Sequence, residues 1–156
     1  MASLKLRGRD AIVTKEGLIF RVFGYAHPSD AYICDLEYAS AEIFKSENPK
    51  AFRNHGRRVF YKFYDDDCWK FIQNNFPRYL IRHEMLQTTV LGVKKSAIAK
   101  ILRPDERLRE LAAIKPRDKL VAALQNAVEF VTQSSGLCAE NFGVFGSLLH
   151  GFYSPE

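Results

Sequence analysis

Hydrophobic and polar residues alternate most clearly in the first forty positions, where the pattern predicts three strands. Residues 10–14 and 18–25 are rich in β-branched and aromatic side chains, and Lys15-Glu16-Gly17 separates them. Because Gly17 tolerates the positive φ that tight loops need, the two segments predict a hairpin. Residues 31–36 follow a proline-containing turn and predict a third strand. The first forty residues therefore predict a small antiparallel meander.

The middle of the chain is less regular. Residues 37–58 have weak periodicity, and residues 53–58 predict an exposed basic loop. Strand character returns over residues 59–64, where alternate side chains can share one face. Residues 79–86 and 90–93 predict two further strands.

The triplet Asp65-Asp66-Asp67 invites two interpretations, a metal site or the start of a helix. We favour the helix, because acidic residues cap a helix N-terminus and interact well with its dipole. Trp69, Ile72 and Phe76 would form the apolar stripe of this helix, and Pro77 would end it.

The second half of the chain predicts mainly helices. Residues 97–102 predict a short helix, and Asp105 is the expected N-cap of a solvated helix over residues 106–114. Pro104 and Pro116 bracket this helix, which is typical of a connector between domains. The predicted organisation is an α+β N-terminal domain over residues 1–104, a connector helix over residues 105–115 and a further unit over residues 116–156.

Residues 116–156 contain a helix signal followed by a Gly-Ser pair. Asp118 is the expected N-cap of this helix, and Gly136 is its expected C-terminal stop. The apolar residues 142–145 predict a strand that leads into Gly146-Ser147. Glycine lets the backbone approach a ligand closely, and serine adds a hydroxyl, so the pair is a candidate phosphate cradle. The predicted apolar face of the helix consists of Leu120, Leu124, Ala127, Val128 and Val131.

This order of a helix, a strand and Phe145-Gly146-Ser147 resembles the opening of the nucleotidyltransferase domain of the DNA polymerase beta superfamily. Leu148-Leu149-His150-Gly151 is similar to the minimal archaeal and bacterial members. Residues 14–25 resemble the N-terminal region of uncharacterised archaeal proteins that carry such a domain. The resemblance implies transfer of a nucleoside monophosphate from a nucleoside triphosphate to a hydroxyl with Mg²⁺, and it implies that Gly146 and Ser147 hold the triphosphate.

The chain departs from that family where the chemistry would occur. Family members carry two or three carboxylates after the Gly-Ser pair, and these hold two divalent cations. Here Glu156 is the single acidic residue after Ser147. The sequence therefore predicts no catalytic residue and no complete magnesium site, and it predicts that this chain alone is inactive. It is expected to be either the N-terminal portion of a longer nucleotidyltransferase or a protein that has lost its catalytic activity.

The charge of the chain, +5 in total, is concentrated in one segment. Residues 45–62 carry six cations and only Glu47 as an acid, whereas the remainder of the chain is balanced. Phe44, Phe52, Phe60 and Tyr61 interleave with these cations, which is typical of surfaces that bind single-stranded RNA or DNA. The alternative is a basic surface loop whose aromatic residues belong to the core. The candidate nucleic-acid contacts are Lys50, Arg53, Arg57, Arg58 and Lys62.

Composition sets the remaining expectations. With 156 residues, 47% of them hydrophobic and 26% charged, the chain is expected to be globular. It contains no apolar run of bilayer-spanning length and no secretory signal, so a cytoplasmic location without membrane contact is expected. Cys34, Cys68 and Cys138 are expected to be buried, and neither they nor the four histidines have metal-ligand spacing.

We expect an α+β fold with an antiparallel sheet of about five strands, one main covering helix and a helical connector. The chain would end in the partial helix–strand unit that the resemblance implies. Because a strand over residues 142–145 would lack neighbours from its own domain, its exposed edge is expected to pair with the N-terminal sheet or with a second chain, and the second alternative predicts a homodimer.

Overall fold

The computed structural model describes residues 5–64 and 67–153, which belong to two compact units, Met1–Ile101 and Leu102–Glu156. Asp65 and Asp66 of the aspartate triplet, and the terminal Glu156, lie outside the described residues. The described chain combines helices with a large antiparallel sheet, so the expected α+β class is confirmed.

The first unit is built on a sheet with eight strands in the described residues, more than the five or so expected. Two of these strands occupy segments for which the sequence predicted a loop or a helix. The expected loop over residues 53–58 is part of a hairpin, and the expected helix over residues 97–102 is a strand. The strands are β1 Ala11–Thr14, β2 Leu18–Val22, β3 Ala31–Ser40, β4 Phe52–His55, β5 Arg58–Lys62, β6 Leu80–His83, β7 Thr88–Lys94 and β8 Ile98–Leu102.

The long strand β3 organises the sheet. The main path of paired strands is β4-β5-β3-β2-β1-β8, and β7 joins β3 to β6. Ala31–Ile33 of β3 pair with β7, whereas Tyr38–Ser40 pair with β5. The pairing of β2 with β3 shifts at Ile19/Phe20, which is a β-bulge. One ten-residue strand therefore connects the N-terminal meander to two separate hairpins.

A single helix, α1 (Asp67–Asn75), contributes to the core of this sheet among the residues described. Ile72 is fully buried, and Trp69 and Phe76 pack against the same cluster, which confirms the predicted stripe. Pro77 follows the helix and opens the 3₁₀ turn Pro77–Tyr79. The buried strand residues of this core include Leu18, Phe20, Tyr32, Cys34, Leu36 and Val93.

The second unit contains the helices α2 (Pro104–Ala113), α3 (Lys119–Ser135) and α4 (Ser147–His150). The predicted caps of α3 are confirmed. Asp118 Oδ1 accepts a hydrogen bond from the Val121 amide at 2.8 Å, and Gly136 ends the helix with φ 68°. None of the helices in the described ranges has the length and apolarity needed to cross a bilayer.

Helix α2 differs from the expected solvated helix. It begins at Pro104 with Arg103 in the N-cap position, so the prediction of Asp105 as the cap is wrong. A proline suits the first helical turn because its missing N–H has no intrahelical partner there. Leu108 and Leu111 are buried in a cluster with Val121, so α2 supplies core residues to the second unit.

The apolar face of α3 is also displaced from the predicted one. Val121 is fully buried and Leu124 and Val128 pack against the same cluster, whereas Leu120 and Val131 are 41% and 38% exposed. The prediction of an apolar face is therefore confirmed for Leu124 and Val128. It is wrong for the other three residues, which are exposed, Ala127 among them. Fewer residues of α3 are buried than the predicted apolar face contains.

The predicted strand over residues 142–145 is absent from the described structure, where this segment pairs with no strand. Instead, the Val144 amide donates to the Pro104 carbonyl at 3.0 Å. At Gly143, an added Cβ would lie 2.7 Å from Pro104 Cβ, so only glycine permits this approach. The strand edge on which the homodimer prediction depended is therefore missing from this part of the chain.

Candidate nucleic-acid interface

The basic segment folds into an antiparallel hairpin. Strands β4 and β5 are joined by a tight turn in which Gly56 has φ 62°, a conformation that favours glycine. Strand β4 is the outermost strand of the main path and pairs with β5. Its sequence, Phe-Arg-Asn-His, lacks the alternation of a half-buried strand, which explains why it was not predicted.

The register of the hairpin gathers cations on one face. Arg53 pairs with Phe60, and His55 pairs with Arg58. Side chains of cross-strand partners share a face, and residues two apart on a strand do so as well. Arg53, Arg58 and Lys62 therefore lie on the same face as Phe60 and His55. We call this surface, with Arg57 at the turn, the basic hairpin face.

Arg53 is held in place by local hydrogen bonds. Its Nη1 donates to the carbonyl oxygens of Lys50 at 2.6 Å and Phe52 at 2.7 Å, and its Nη2 lies 3.4 Å from the Tyr64 hydroxyl. The same hydroxyl donates to the Lys50 carbonyl at 3.1 Å. Arg53 thus ties β4 to the preceding 3₁₀ turn, and it positions the hairpin as well as adding charge.

Arg57 and Arg58 are more exposed to solvent than Arg53, which is half-buried. Both are exposed, and neither forms an ion pair with any of the described residues. Lys50 is likewise exposed, and the Lys62 ammonium lies 5.3 Å from the ring centroid of Tyr64. A cation that forms no ion pair within the protein can bind an external anion without first breaking such a pair.

A buried tyrosine lies beside this face. Tyr38 pairs with Lys62 across the sheet and is 2% exposed. Burial raises its pKa to about 12, with a further contribution from the charge of Glu37. The phenol is therefore neutral at physiological pH, and it does not cancel the positive charge of the basic hairpin face.

The four aromatic residues that the sequence grouped with these cations do not share one surface. Phe44 stacks on Phe63 with centroids 4.1 Å apart and contacts Phe71, so it belongs to the core. Phe52 and Tyr61 pair on the opposite face of the hairpin, with centroids 6.1 Å apart. Phe60 alone of the four lies on the basic hairpin face, where it is half-buried. Of the four aromatic residues that were expected to contact nucleic acid, only Phe60 therefore lies beside the cations.

The Gly146-Ser147 pair occupies a turn rather than a strand end. Gly146 has φ 63° and ψ −140° and precedes α4, which is a single turn of four residues. The Ser147 carbonyl accepts from the Phe152 amide at 2.8 Å, and the ring of buried His150 stacks on Phe152 at 5.3 Å. Within the described residues, no group of three His, Cys, Asp or Glu side chains could hold a metal ion.

The cysteines occupy three different environments. Cys34 is buried, as expected, and burial raises the pKa of its thiol to about 12. Cys68 is half-buried, whereas Cys138 is exposed, so the prediction that all three are buried is wrong for Cys138. The Cys138 thiol lies 3.1 Å from Asn141 Oδ1 in the turn after α3.

A second group of cations was missed in the sequence. Arg78, Arg82 and Lys94 line an open cleft of about 610 Å³ in the first unit. They come from a 3₁₀ turn and two strands, and only the spacing of Arg78 and Arg82 is visible locally. No sequence motif links them with Lys94, which lies on β7 three residues beyond the last residue that pairs with β6.

Comparison with known proteins gives a relative of unknown activity. The chain is 30% identical over 148 residues to the uncharacterized protein MJ1086 of Methanocaldococcus jannaschii, an alignment that covers 94% of this chain. It spans only 44% of that relative. Neither a known protein family nor a solved structure matches the chain.

Proposed function

We propose that the protein binds single-stranded nucleic acid through the basic hairpin face. The observation that carries this proposal is the register of β4 and β5, which places Arg53, Arg58 and Lys62 around Phe60. The same segment carries the entire charge surplus of the chain. Cations beside a half-buried aromatic ring match the chemistry of a strand with phosphates and unstacked bases.

Each side chain has a distinct role in this proposal. Arg57 and Arg58 would contact phosphates, because both are exposed and have no ion pair with a described residue. Phe60, which lies between Arg58 and Lys62 on the same face of β5, would stack on a base. Arg53 would act mainly as a positioning residue, since its guanidinium already donates to the Lys50 and Phe52 carbonyls.

Membership of the nucleotidyltransferase class is a second proposal. It is supported by the order of the Asp118-capped helix and Gly146-Ser147 and by the open space around Gly146, whereas the strand that precedes the pair in that family is absent from the described residues 142–145. In this proposal Gly146 and Ser147 would contact the phosphates of a nucleoside triphosphate, and Mg²⁺ would be required as in the family. We assign no catalytic residue, because the described residues offer no carboxylate cluster for the metal.

The nucleic-acid proposal is tested by binding of fluorescently labelled oligo(dT) and oligo(U) in a salt titration. Arg57→Glu with Arg58→Glu should weaken binding at least about tenfold, because each phosphate contact is charge-assisted. The slope of log affinity against log salt concentration should also become shallower, by about 0.7 for each phosphate that the variant no longer neutralises. A matched control, Lys115→Glu with Lys119→Glu, changes the same net charge on exposed residues of the second unit.

The two variants separate a specific surface from general charge attraction. Loss of affinity in the hairpin variant alone supports the basic hairpin face. Equal loss in both variants, or no loss in either, overturns the proposal. Phe60→Ala should reduce affinity for the single strand more than for a duplex, since base stacking is available only in the single strand.

A further inference from the structure

We propose that Arg9, Phe23 and Tyr25 form a second contact surface for single-stranded nucleic acid, separate from the basic hairpin face. This inference rests on the proposed function, since it takes the same class of ligand. Phe23 and Tyr25 follow β2 and are 63% and 71% exposed, which makes them the most exposed aromatic side chains among the described residues of the first unit. Exposed rings of this kind are the groups on which unstacked bases pack.

The turn before β1 places cations beside these rings. Arg7 and Arg9 are both exposed. A Cβ added at Gly8 would lie 3.5 Å from the Gly24 amide nitrogen, so the backbone of this turn lies directly against the segment that carries the rings. The acid of the turn, Asp10, is buried, and its Oδ2 accepts a hydrogen bond from the Arg7 amide at 2.9 Å. The solvent-exposed charge of the turn is therefore positive.

Arg9 adopts a backbone conformation that favours glycine, with φ 81°. The Arg9 amide donates to the Val22 carbonyl at 3.1 Å, and the Val22 amide donates to the Asp10 carbonyl at 2.8 Å. Arg9 and Asp10 thus both lie opposite Val22, which is a β-bulge whose first position is usually glycine. Bulges redirect side chains, and a strained non-glycine residue points to a function for its side chain. The arginine is therefore assigned a ligand contact.

Strand register places Phe23 on the same side of the sheet as the basic hairpin face. The Phe23 amide donates to the Ile33 carbonyl at 2.9 Å, so Phe23 continues the ladder of β2 with β3. Residues an even number apart on a strand share a face, and so do cross-strand partners. Phe23 therefore shares a face with Ile19. Ile19 pairs with Tyr38, and Tyr38 pairs with Lys62 of the basic hairpin face.

The part of the sheet between the two surfaces is not basic. Arg21 lies there and pairs with Asp35 at 2.9 Å and with Glu37 at 3.5 Å. These three side chains leave one surplus negative charge, which disfavours a phosphate at this point. A bound strand would therefore be held at its two ends, by the basic hairpin face and by the surface around Arg9.

The test is binding of fluorescently labelled oligo(dT) of about twelve nucleotides, within the usual site size of single-strand modules. Phe23→Ala with Tyr25→Ala, the ring variant, should weaken binding at least about tenfold, because two stacking rings are lost. The matched control is Phe130→Ala in the second unit, where Phe130 is 70% exposed. This control should leave the affinity unchanged.

Arg9→Gly separates a binding role from a structural one. Glycine relieves the positive φ, so the midpoint of urea denaturation should rise. The same variant loses a cation, so its affinity for oligo(dT) should fall about fivefold, and the slope of log affinity against log salt concentration should become shallower by about 0.7. A lower midpoint, or an affinity equal to that of the parent, would overturn the assignment of Arg9.

The remaining outcomes distinguish this surface from the basic hairpin face. Full binding by the ring variant, while Arg57→Glu with Arg58→Glu loses affinity, would overturn this inference and leave the proposed function in place. The reverse result supports this surface and overturns the hairpin. Failure of the parent protein to bind oligo(dT) would overturn both.

Three further results would also contradict the inference. One is an equal loss of affinity in the ring variant and in Phe130→Ala. Another is an equal loss by the ring variant toward duplex DNA, since base stacking is available only in a single strand. The third is polyglutamate that competes as well as unlabelled oligo(dT), which would assign the surface to an acidic protein partner. Circular dichroism of each variant checks that the fold is retained.

Discussion

The hydroxyl of Tyr79 donates a hydrogen bond to Oε2 of Glu16 at 2.9 Å, and Arg78 pairs with the other carboxylate oxygen. Glu16 lies in the turn between β1 and β2, whereas Tyr79 ends the 3₁₀ turn that follows α1. The ring of Tyr79 is fully buried and lies 5.0 Å from that of Phe20. This contact therefore attaches the N-terminal hairpin to the segment that leads into the cleft.

The Glu16 contact predicts a dependence of stability on pH. Burial alone would raise the pKa of Glu16, but hydrogen bonds from its own amide, Thr14, Tyr79 and Arg78 outweigh burial and lower it below 4.5. Because the folded-state pKa is lowered, the stabilisation is present above pH 4.5 and is lost as the pH falls through the folded-state pKa. Urea denaturation of Glu16→Gln should show a loss of about 1 kcal/mol at neutral pH that shrinks in acid.

A matched carboxylate separates this effect from general charge. Glu84→Gln removes an exposed acid from a turn of the same unit, where the backbone carbonyl of Glu84 accepts hydrogen bonds from Gln87. The substitution leaves that carbonyl in place, so stability should stay within about 0.5 kcal/mol of the parent at every pH. A Glu16→Gln protein that is as stable as the parent at neutral pH would contradict the assigned contact.

Gly92 predicts a steric effect in β7. A Cβ at this position would clash with Ile81 Cδ1 and would lie 3.0 Å from the Tyr32 carbonyl oxygen. Gly92→Ala should therefore lower the free energy of unfolding by about 1–3 kcal/mol, the usual cost of overpacking. In an Ile81→Ala background the same substitution should cost less, because the clashing atoms are gone.

Gly8→Ala is the control for this substitution. Its Cβ would meet only Gly24 at ordinary contact distance, 3.5 Å, and Gly8 has no positive φ. Chemical denaturation should show a change of less than about 1 kcal/mol. Equal destabilisation by both alanine variants would rule out the Ile81 contact as the cause.

The cysteines should differ in reactivity toward a thiol reagent such as DTNB. Cys138 is exposed and should react fastest in the native protein. Cys34 should react only after unfolding, because it is buried and its pKa is raised to about 12, so almost no thiolate forms. Cys138→Ser should remove the fast phase, and Cys34→Ser should leave it unchanged. A fast phase that persists without Cys138 would contradict this order.

The sequence predicted those parts of the fold that depend on local chemistry. The turn at Gly17, the stripe of α1 and both caps of α3 follow from residues that are close in the chain. Gly17 and Gly136 adopt a positive φ, α1 has apolar residues at helical spacing, and the Asp118 side chain accepts a hydrogen bond from a backbone amide. Each of those features is visible within a few residues.

The parts that were mispredicted depend on distant partners. Residues 98–102 form a strand because β1 offers an edge with which they pair, although Ala97 and Ala99 favour a helix. In residues 142–145, Phe142 and Val144 are apolar because they pack in the cluster that contains Leu108 and Leu111 of α2, and not because they pair with a strand. The candidate cations were found from their local charge density, but the face that they share depends on the register of β4 and β5.

Asp118 stabilises the second unit through both of its carboxylate oxygens. Its Oδ1 accepts from the Val121 amide at 2.8 Å, and its Oδ2 lies 3.3 Å from the hydroxyl of Tyr153, to which Arg117 also donates at 2.9 Å. Asp118→Ala removes the N-cap of α3 and should cost about 1–2 kcal/mol. Asp118→Asn keeps an acceptor at the capping position and should cost less.

Hydrogen exchange at the Val121 amide reports on the cap directly. Exchange should accelerate in Asp118→Ala and stay close to the parent rate in Asp118→Asn, and equal acceleration in both would show that the carboxylate charge, rather than the cap, stabilises the helix.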